Sequence, residues 1–228
     1  MLQNNKISKS RNWYIGLREF VNLFHADYLR FYIASICSYS QDDINFDWID
    51  FEKKINNELI ANIGNFVNRT LTFIKKNFGN EIPFPNDYDV LDKNAWTEIE
   101  RIGKIVGAFI SSNEIDKALK SILSFSSIFN QYFQRKEPWK NPEQSASTLY
   151  VSINAVRALS ILLAPFIPFS AAEIWKQLSL EGNIHEENWD SIGTILLKPG
   201  HKLGEIEPIF ERIDNDKIKE QVNKLNNR

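Results

Sequence analysis

The chain has 228 residues, of which 43% are hydrophobic, 13% aromatic and 25% charged. This composition excludes a disordered or fibrous chain and is typical of a globular protein with a sizeable buried core. The formal net charge of −2 excludes a general electrostatic attraction to polyanions, so any nucleic-acid binding would have to be local.

Three features bear on where the protein works. The longest apolar stretch, residues 158–169, is too short to span a bilayer and contains Pro165 and Pro168. The N-terminus lacks the apolar core of a signal peptide. The single cysteine, Cys37, allows neither an internal disulfide nor a thiolate zinc site. We expect a cytoplasmic protein with no membrane partner and no metal site.

The first half of the chain predicts three helices. Apolar residues recur at helical spacing over 17–24 and 25–40, where Asp27 and Arg30 are spaced to pair on one face. Asp47 can cap a longer third helix that ends near Gly79. Its apolar stripe follows steps of three and four residues: Phe51, Ile55, Leu59, Ile63, Phe66, Thr70 and Ile74. Residues 80–89 form a connection.

The second half predicts an antiparallel pair of helices over 92–111 and 113–136, with Ser111 and Glu114 spaced as a capping box. A central apolar helix follows over 145–164, and Pro168 begins a short one. Residues 181–205 lose periodicity and indicate a loop before a polar helix ends the chain. We therefore predict an all-α bundle of about five main helices, with a flexible N-terminal leader and a looser C-terminal tail.

The candidate chemistry is sparse. The sequence has no Gly-rich phosphate loop or Cys/His metal spacing, and His25, His185 and His201 are expected at the surface or at helix caps. The third helix carries a polar ridge beside its apolar stripe, formed by Glu58, Asn62, Asn65 and Arg69. Asn65 and Arg69 could present an amide and a guanidinium to one base edge. The alternative is a solvated helix flank.

Trp139 is the second candidate. Pro138 disfavours helix at Glu137, so a turn is expected there that holds Trp139 near the end of its helix. A tryptophan held in this way can be a platform on which a base stacks. The alternative is that it caps the bundle core.

These motifs resemble a known family. Residues 6–10, "KISKS", resemble the KMSKS signature of class I aminoacyl-tRNA synthetases. The segment "HADYLRFY" resembles the helix that follows this signature in several class I enzymes. The segments "ANIGNFVNRTLTFI" and "NQYFQRKEPWK" are similar to the anticodon-binding domain of methionyl-tRNA synthetases. The resemblance extends over nearly the whole chain. It divides the chain into residues 1–15, from the catalytic-domain loop, an anticodon-binding bundle over 16–180, and a C-terminal extension over 181–228.

The resemblance implies a role for each matching residue. Trp139 would stack on the first base of the CAU anticodon, a cytosine, while Asn65 and Arg69 would hydrogen-bond its edge and neighbouring groups. Single-stranded bases are read by stacking and edge contacts, so no basic surface is required. The implied partners are the anticodon loop of tRNA(Met) and the catalytic domain of the same polypeptide.

The loop at the N-terminus has an implied role too. Lys6, Ile7, Ser8, Lys9 and Ser10 match the loop that closes over ATP, and Lys9 would offset charge on the departing pyrophosphate. Ile7 stands where the signature has methionine. The family's catalytic domain, with its HIGH signature and zinc-bearing insertion, should precede this loop. We expect ATP, Mg²⁺ and zinc only with that part, and no methionine activation by this chain alone.

Three expectations stay open at this point. We expect residues 1–12 to be disordered without their catalytic partner surface. Another class I synthetase, for cysteine, leucine, isoleucine or valine, is an alternative to the methionine enzyme. A free-standing helical tRNA-binding or interaction module is the alternative from a different class.

Overall fold

The computed structural model describes residues 1–37 and 43–227, so the part of the second predicted helix beyond 37 lies outside the described residues. Within them the chain is all-α, as predicted, with isolated β-bridges and no strand. The helices are α1 Leu17–Leu23, α2 Ala26–Ile36, α3 Trp48–Lys54, a π-helical segment Ile55–Gly64, α4 Asn65–Asn77, α5 Val90–Ser111, α6 Ile115–Lys136, α7 Ala146–Leu163, α8 Pro168–Gln177 and α9 Asn215–Asn226.

The predicted long third helix is a continuous rod over 48–77. The Oδ1 atom of Asp47 accepts hydrogen bonds from the backbone N–H groups of Ile49 and Asp50, each at 2.9 Å. The backbone keeps right-handed helical angles at Ile55 and Gly64, so α3, the π-helical segment and α4 join without a break. The whole predicted apolar stripe is buried. With the rod counted once, the described residues form eight helices, more than the five main ones expected.

Helix α7 is the centre of the bundle, as predicted. It is long and apolar enough to cross a membrane, yet all of it is buried inside the protein, which is the position of a core helix. Its polar groups hold the tail: Asn154 Oδ1 accepts from the Leu197 N–H at 2.8 Å. Arg157 donates to the carbonyls of Ser191 and Ile195 at 3.2 and 3.0 Å. The predicted loop after Leu180 therefore packs on the core.

The C-terminal segment also packs on the rod. Asn56 exchanges two hydrogen bonds of 2.9 Å with the backbone of Ile213, and Tyr28 exchanges two of 2.8 Å with that of Glu211. Helix α9 lies against α3 and buries Ile218.

Two local predictions were wrong. Asp27 does not pair with Arg30, because its Oδ2 atom caps α8 by accepting from the N–H and Oγ of Ser170 at 2.6 and 2.7 Å. Arg30 instead donates to the carbonyls of Pro165 and Phe166 at 3.0 Å. Both side chains therefore fix the turn between α7 and α8.

The expected capping box between Ser111 and Glu114 is absent. Helix α6 begins only at Ile115, so Glu114 occupies the N-cap position, where its side chain caps nothing and pairs with Lys117. A capping box does occur at the start of α5, between Asp89 and Asp92.

The expected disorder of residues 1–12 was also wrong. Leu2 is 1% exposed, and its carbonyl accepts from the Trp13 indole at 3.0 Å. The Gln3 N–H donates to the Phe46 carbonyl at 2.8 Å, and Ser8 pairs with Trp13 through two backbone hydrogen bonds. Apolar contacts of Leu2 with the aromatic core order a segment that its polar residues alone would leave free.

Candidate nucleic-acid interface

Arg69 lies on α4 against two aromatic rings of the α6 end. Its guanidinium carbon is 4.2 Å from the centroid of the Phe133 ring and 5.9 Å from that of Trp139. Its Nε and Nη2 atoms are buried and have no hydrogen-bond partner within 1–37 and 43–227. Burial lowers the pKa of the guanidinium, but arginine stays charged in proteins. Two buried donors of Arg69 are therefore left without a partner, which costs free energy.

Trp139 follows the end of α6, as predicted. Glu137 takes a left-handed conformation with φ 44°, which stops the helix, and Pro138 is buried beside it. The Trp139 ring lies 6.5 Å from the Phe133 ring at an angle of 27°, and 43% of the residue is exposed. Trp139 therefore packs on the bundle and also keeps exposed surface on which a further ring could stack. The structure thus combines the two interpretations of Trp139, a cap of the core and a stacking platform.

An ionic cluster that is buried at Asp92 and exposed at Asp89 holds the end of α6. Lys136 donates to Asp89 at 2.8 Å and to Asp92 at 3.0 Å, and Tyr132 donates to Asp92 at 2.6 Å. Asp89 and Asp92 begin α5, so the contact also confirms that α5 and α6 are antiparallel. Because Lys136 lies three residues before Trp139, the cluster fixes the turn that carries the platform.

Asn65 lines a polar groove of about 530 Å³ between the rod and α6. The groove is rich in side-chain amides, from Asn57, Asn62, Asn65, Asn130, Gln131 and Gln134. Asn62 turns toward α6, donating to the Leu123 carbonyl at 2.9 Å, while Glu58 pairs with Lys54 at 3.3 Å. The predicted ridge is thus a groove wall, and Arg69, which lines the groove, also lies against the Phe133 and Trp139 rings.

Sequence analysis missed Asn130 and Phe133. Both lie on α6, whose end Trp139 follows. The signal that places the three near one another is their spacing: Phe133 comes three residues after Asn130 and six before Trp139. Their partners Asn62 and Arg69 lie more than sixty residues away in sequence, so only the packing of the two helices pairs them.

The N-terminal loop presents donors to solvent. Lys6, Lys9 and Ser10 are exposed, Ile7 is 55% exposed, and the Ser8 and Ser10 hydroxyls lie 3.1 Å apart. Neither lysine has an ion pair within the part of the chain that the structure describes. The loop can therefore offer two cations and two hydroxyls to an anion.

The histidines and acids form no metal centre among residues 1–37 and 43–227. His25 caps α2 by accepting from the Asp27 N–H at 3.2 Å, as expected for a capping histidine, and His201 lies 2.7 Å from the Leu178 carbonyl. His185 is exposed at the surface.

Comparisons with known proteins define the class. Residues 92–227 match the anticodon-binding domain of tRNA ligase, and residues 1–71 match tRNA synthetases class I (M). The chain therefore belongs to the anticodon-binding domain family of tRNA ligases. Asn65 and Arg69 fall in the first matched region along the chain and Trp139 in the second.

The curated relatives narrow the class to methionine–tRNA ligases, which confirms the resemblance drawn from the motifs. The one from Pyrococcus abyssi is 38% identical over 221 residues, covering 95% of this chain and 30% of the relative. That from Methanopyrus kandleri is 35% identical over 223 residues, with 95% and 32% covered. The chain thus spans about a third of the length of these relatives.

Solved structures share the fold. The methionyl-tRNA synthetase of Mycobacterium tuberculosis in complex with methionyl-adenylate has a TM-score of 0.84 and 24% identity, covering 92% of this chain and 43% of that one. Its apo form has a TM-score of 0.80 and 21% identity, with 88% and 41% covered.

Proposed function

We propose that the groove reads the CAU anticodon of tRNA(Met). The observation that carries the proposal is Arg69, whose guanidinium carbon lies 4.2 Å from the centroid of the Phe133 ring and 5.9 Å from that of the half-exposed Trp139. Its buried Nε and Nη2 atoms have no hydrogen-bond partner within the described residues. Trp139 would stack on the first base, a cytosine, and Asn65 and Arg69 would bond its edge and neighbouring groups. Stacking and edge contacts suit a domain without excess positive charge.

The experiment is a titration of the 228-residue chain with two anticodon stem-loop hairpins, at a stated low salt concentration. One carries CAU and the other has its first anticodon base changed. We expect a preference for CAU of about 1–3 kcal/mol that disappears in Trp139→Ala. The control is Phe84→Ala, which removes a 73% exposed ring that lies beside Gly200 instead of the groove. Equal binding of both hairpins, unchanged in Trp139→Ala, would contradict the proposal.

We infer that the domain serves a ligase that joins methionine to its tRNA through methionyl-adenylate, in the cytoplasm. The exposed donors of Lys6, Ser8, Lys9 and Ser10 fit the phosphates of ATP, and Lys9 is the residue assigned to charge that develops on pyrophosphate. ATP supplies the adenylyl group that activates the methionine carboxyl in such a reaction, and pyrophosphate is the leaving group. We assign Mg²⁺ and zinc to the catalytic part and no metal ligand to this chain.

A second experiment tests whether this chain can activate methionine without the catalytic part. The chain spans about a third of its relatives, and we expect it to show no methionine-dependent exchange of pyrophosphate into ATP when assayed alone. Measurable turnover would show that the reaction needs no further domain.

A further inference from the structure

Three asparagine side chains form a continuous line of hydrogen bonds from the main chain of α6 to the groove. The Asn62 Nδ2 donates to the Leu123 carbonyl at 2.9 Å. The Asn62 Oδ1 accepts from the Asn130 Nδ2 at 3.1 Å. The Asn130 Oδ1 in turn accepts from the Asn65 Nδ2 at 3.4 Å. We call Asn62, Asn130 and Asn65 the amide relay.

Main-chain carbonyls fix the direction of this relay. A carbonyl can only accept, so the Leu123 carbonyl requires the NH₂ group of Asn62. The Asn130 Nδ2 also donates to the carbonyls of Asn62 and Ser126, at 3.0 and 3.2 Å. Rotating either amide by 180° would set acceptors against each other, which costs hydrogen bonds in a partly buried place. The Asn130 oxygen must therefore point to Asn65.

The same matching of donors to acceptors fixes the orientation of the Asn65 side-chain amide. Its NH₂ group is engaged by the Asn130 oxygen, and its own Oδ1 has no partner within the described residues. Asn65 is exposed and lines the groove. The groove consequently offers an acceptor at Asn65 and, one turn further along α4, the guanidinium of Arg69. The buried Nε and Nη2 atoms of that guanidinium have no partner within the described residues.

We propose that the amide relay, with Asn130 as a positioning residue, selects a base whose pairing edge carries one donor followed by two acceptors. The proposal rests on the anticodon-reading function above and adds the residues that set the polarity of the site. Asn130 acts through Asn65 and needs no contact with the base.

Among the four bases only cytosine satisfies this order completely. Its exocyclic amine donates to the Asn65 oxygen, and its ring nitrogen and carbonyl accept from Arg69. Adenine offers a donor and one acceptor. Uracil and guanine begin with a carbonyl, which would face the Asn65 oxygen with neither side able to donate. The amide relay thus rejects uracil and guanine because their carbonyl would leave the Asn65 oxygen facing another acceptor, and an unpaired acceptor costs binding free energy.

The variant Asn130→Ala tests the relay. Alanine keeps the helical propensity of α6 and releases the Asn65 amide, which can then present either its oxygen or its NH₂ group. With hairpins that carry cytosine or uracil as the first anticodon base, we expect wild type to prefer cytosine by about tenfold or more. In Asn130→Ala the preference should fall to about twofold, because the uracil hairpin binds as well as before or better.

The matched control is Asn68→Ala on α4. Asn68 is exposed, and its one side-chain hydrogen bond within residues 1–37 and 43–227 is accepted from Thr72 at 3.4 Å. Its loss should therefore leave the tenfold preference unchanged. Asn130→Leu keeps the volume of the side chain, removes both polar groups of the amide and should act like Asn130→Ala. This variant decides the matter if Asn130→Ala fails to fold by circular dichroism.

Two outcomes would overturn the relay. One is a wild-type preference retained in the relay variants, and the other is an equal weakening of both hairpins, which indicates a packing role. Failure of the anticodon function itself is distinguishable, since wild type would then bind neither hairpin or both alike.

Discussion

The guanidinium carbon of Arg69 lies 4.2 Å from the centroid of the Phe133 ring, while two of its nitrogens have no hydrogen-bond partner in the described structure. A cation over a ring contributes about 0.5–1 kcal/mol at a partly exposed site. Each buried donor left unpaired costs about 1–3 kcal/mol. The stacking thus offsets little of the cost, and this cost is in line with the binding role that we propose for Arg69.

The first prediction follows from this balance. Arg69→Met removes both the ring contact and the unpaired donors, so the free energy of unfolding should rise by about 1 kcal/mol or more. The affinity for the CAU hairpin should fall by about 2 kcal/mol. Urea unfolding and hairpin titration measure the two quantities.

Lys75→Met is the control for Arg69→Met, because it removes one exposed positive charge from the same helix outside the groove. It should leave hairpin affinity within about 0.5 kcal/mol. A destabilisation of more than about 2 kcal/mol in Arg69→Met would show that the guanidinium supports the fold.

The second prediction concerns the cluster that holds the end of α6. Lys136→Met leaves the Asp92 carboxylate, whose side chain is 1% exposed, without its cationic partner. Breaking a buried ion pair in this way should lower the free energy of unfolding by about 3 kcal/mol. Because the same cluster fixes the turn before Trp139, the preference for the CAU hairpin should weaken as well.

A matched lysine separates burial from charge. Lys140 pairs with Glu137 at 2.8 Å, but both side chains are largely exposed, at 64% and 42%. Lys140→Met should therefore change stability by less than about 1 kcal/mol. Equal effects of the two lysine variants in urea unfolding would refute the assignment of Lys136 to a buried cluster.

The third prediction is a pH dependence. Burial raises the pKa of the Asp89 carboxyl. Hydrogen bonds from Lys136 and from the Asp92 backbone lower it by a larger amount, so the pKa lies below its usual value. Burial lowers the pKa of the Lys136 ammonium, and its hydrogen bonds to Asp89 and Asp92 raise it by more. Both shifts favour the charged pair in the folded state.

The signs define the pH window. A depressed carboxyl pKa contributes stability above about pH 4, which is lost as the pH falls through the folded value. A raised ammonium pKa contributes stability below about pH 10.4, which is lost as the pH rises through the folded value. The stability difference between wild type and Lys136→Met, measured by urea unfolding, should shrink at both extremes. A difference that stays constant from pH 3 to pH 11 would contradict this account.

Local sequence signals predicted much of the fold and part of the site. The buried stripe from Phe51 to Ile74, the Asp47 cap and the turn before Trp139 each depend on neighbours within a few residues, and all were confirmed. The π-helical widening of the rod was not predicted, because its apolar spacing resembles that of an α-helix.

Long-range contacts explain the rest. Asn130 bonds to Asn62 across 68 residues, and Lys136 to Asp92 across 44, so their roles depend on how α6 packs against the rod and α5. Leu2 shows the same limit, since its burial beside Trp13 overrode the polar character of the leader. The sequence indicated which side chains could act, and packing decided which of them meet.

The fourth prediction concerns the loop that packs on α5. Gly193 has φ +77°, and a Cβ there would lie 2.8 Å from the Glu100 Cα and from the Ile99 carbonyl oxygen. Backbone atoms cannot turn aside as a side chain can, so Gly193→Ala combines left-handed strain with a clash.

Gly182 has the same φ of +77° but nothing within 4 Å of such a Cβ. Gly182→Ala should therefore cost about 1 kcal/mol, and Gly193→Ala about 2 kcal/mol more, in urea unfolding. Because this loop contacts α5 and does not line the groove, we expect the hairpin preference of Gly193→Ala to remain at the wild-type value. Equal costs for the two glycine variants would show that the loop yields to the added methyl group and that its close approach to α5 is not needed for stability.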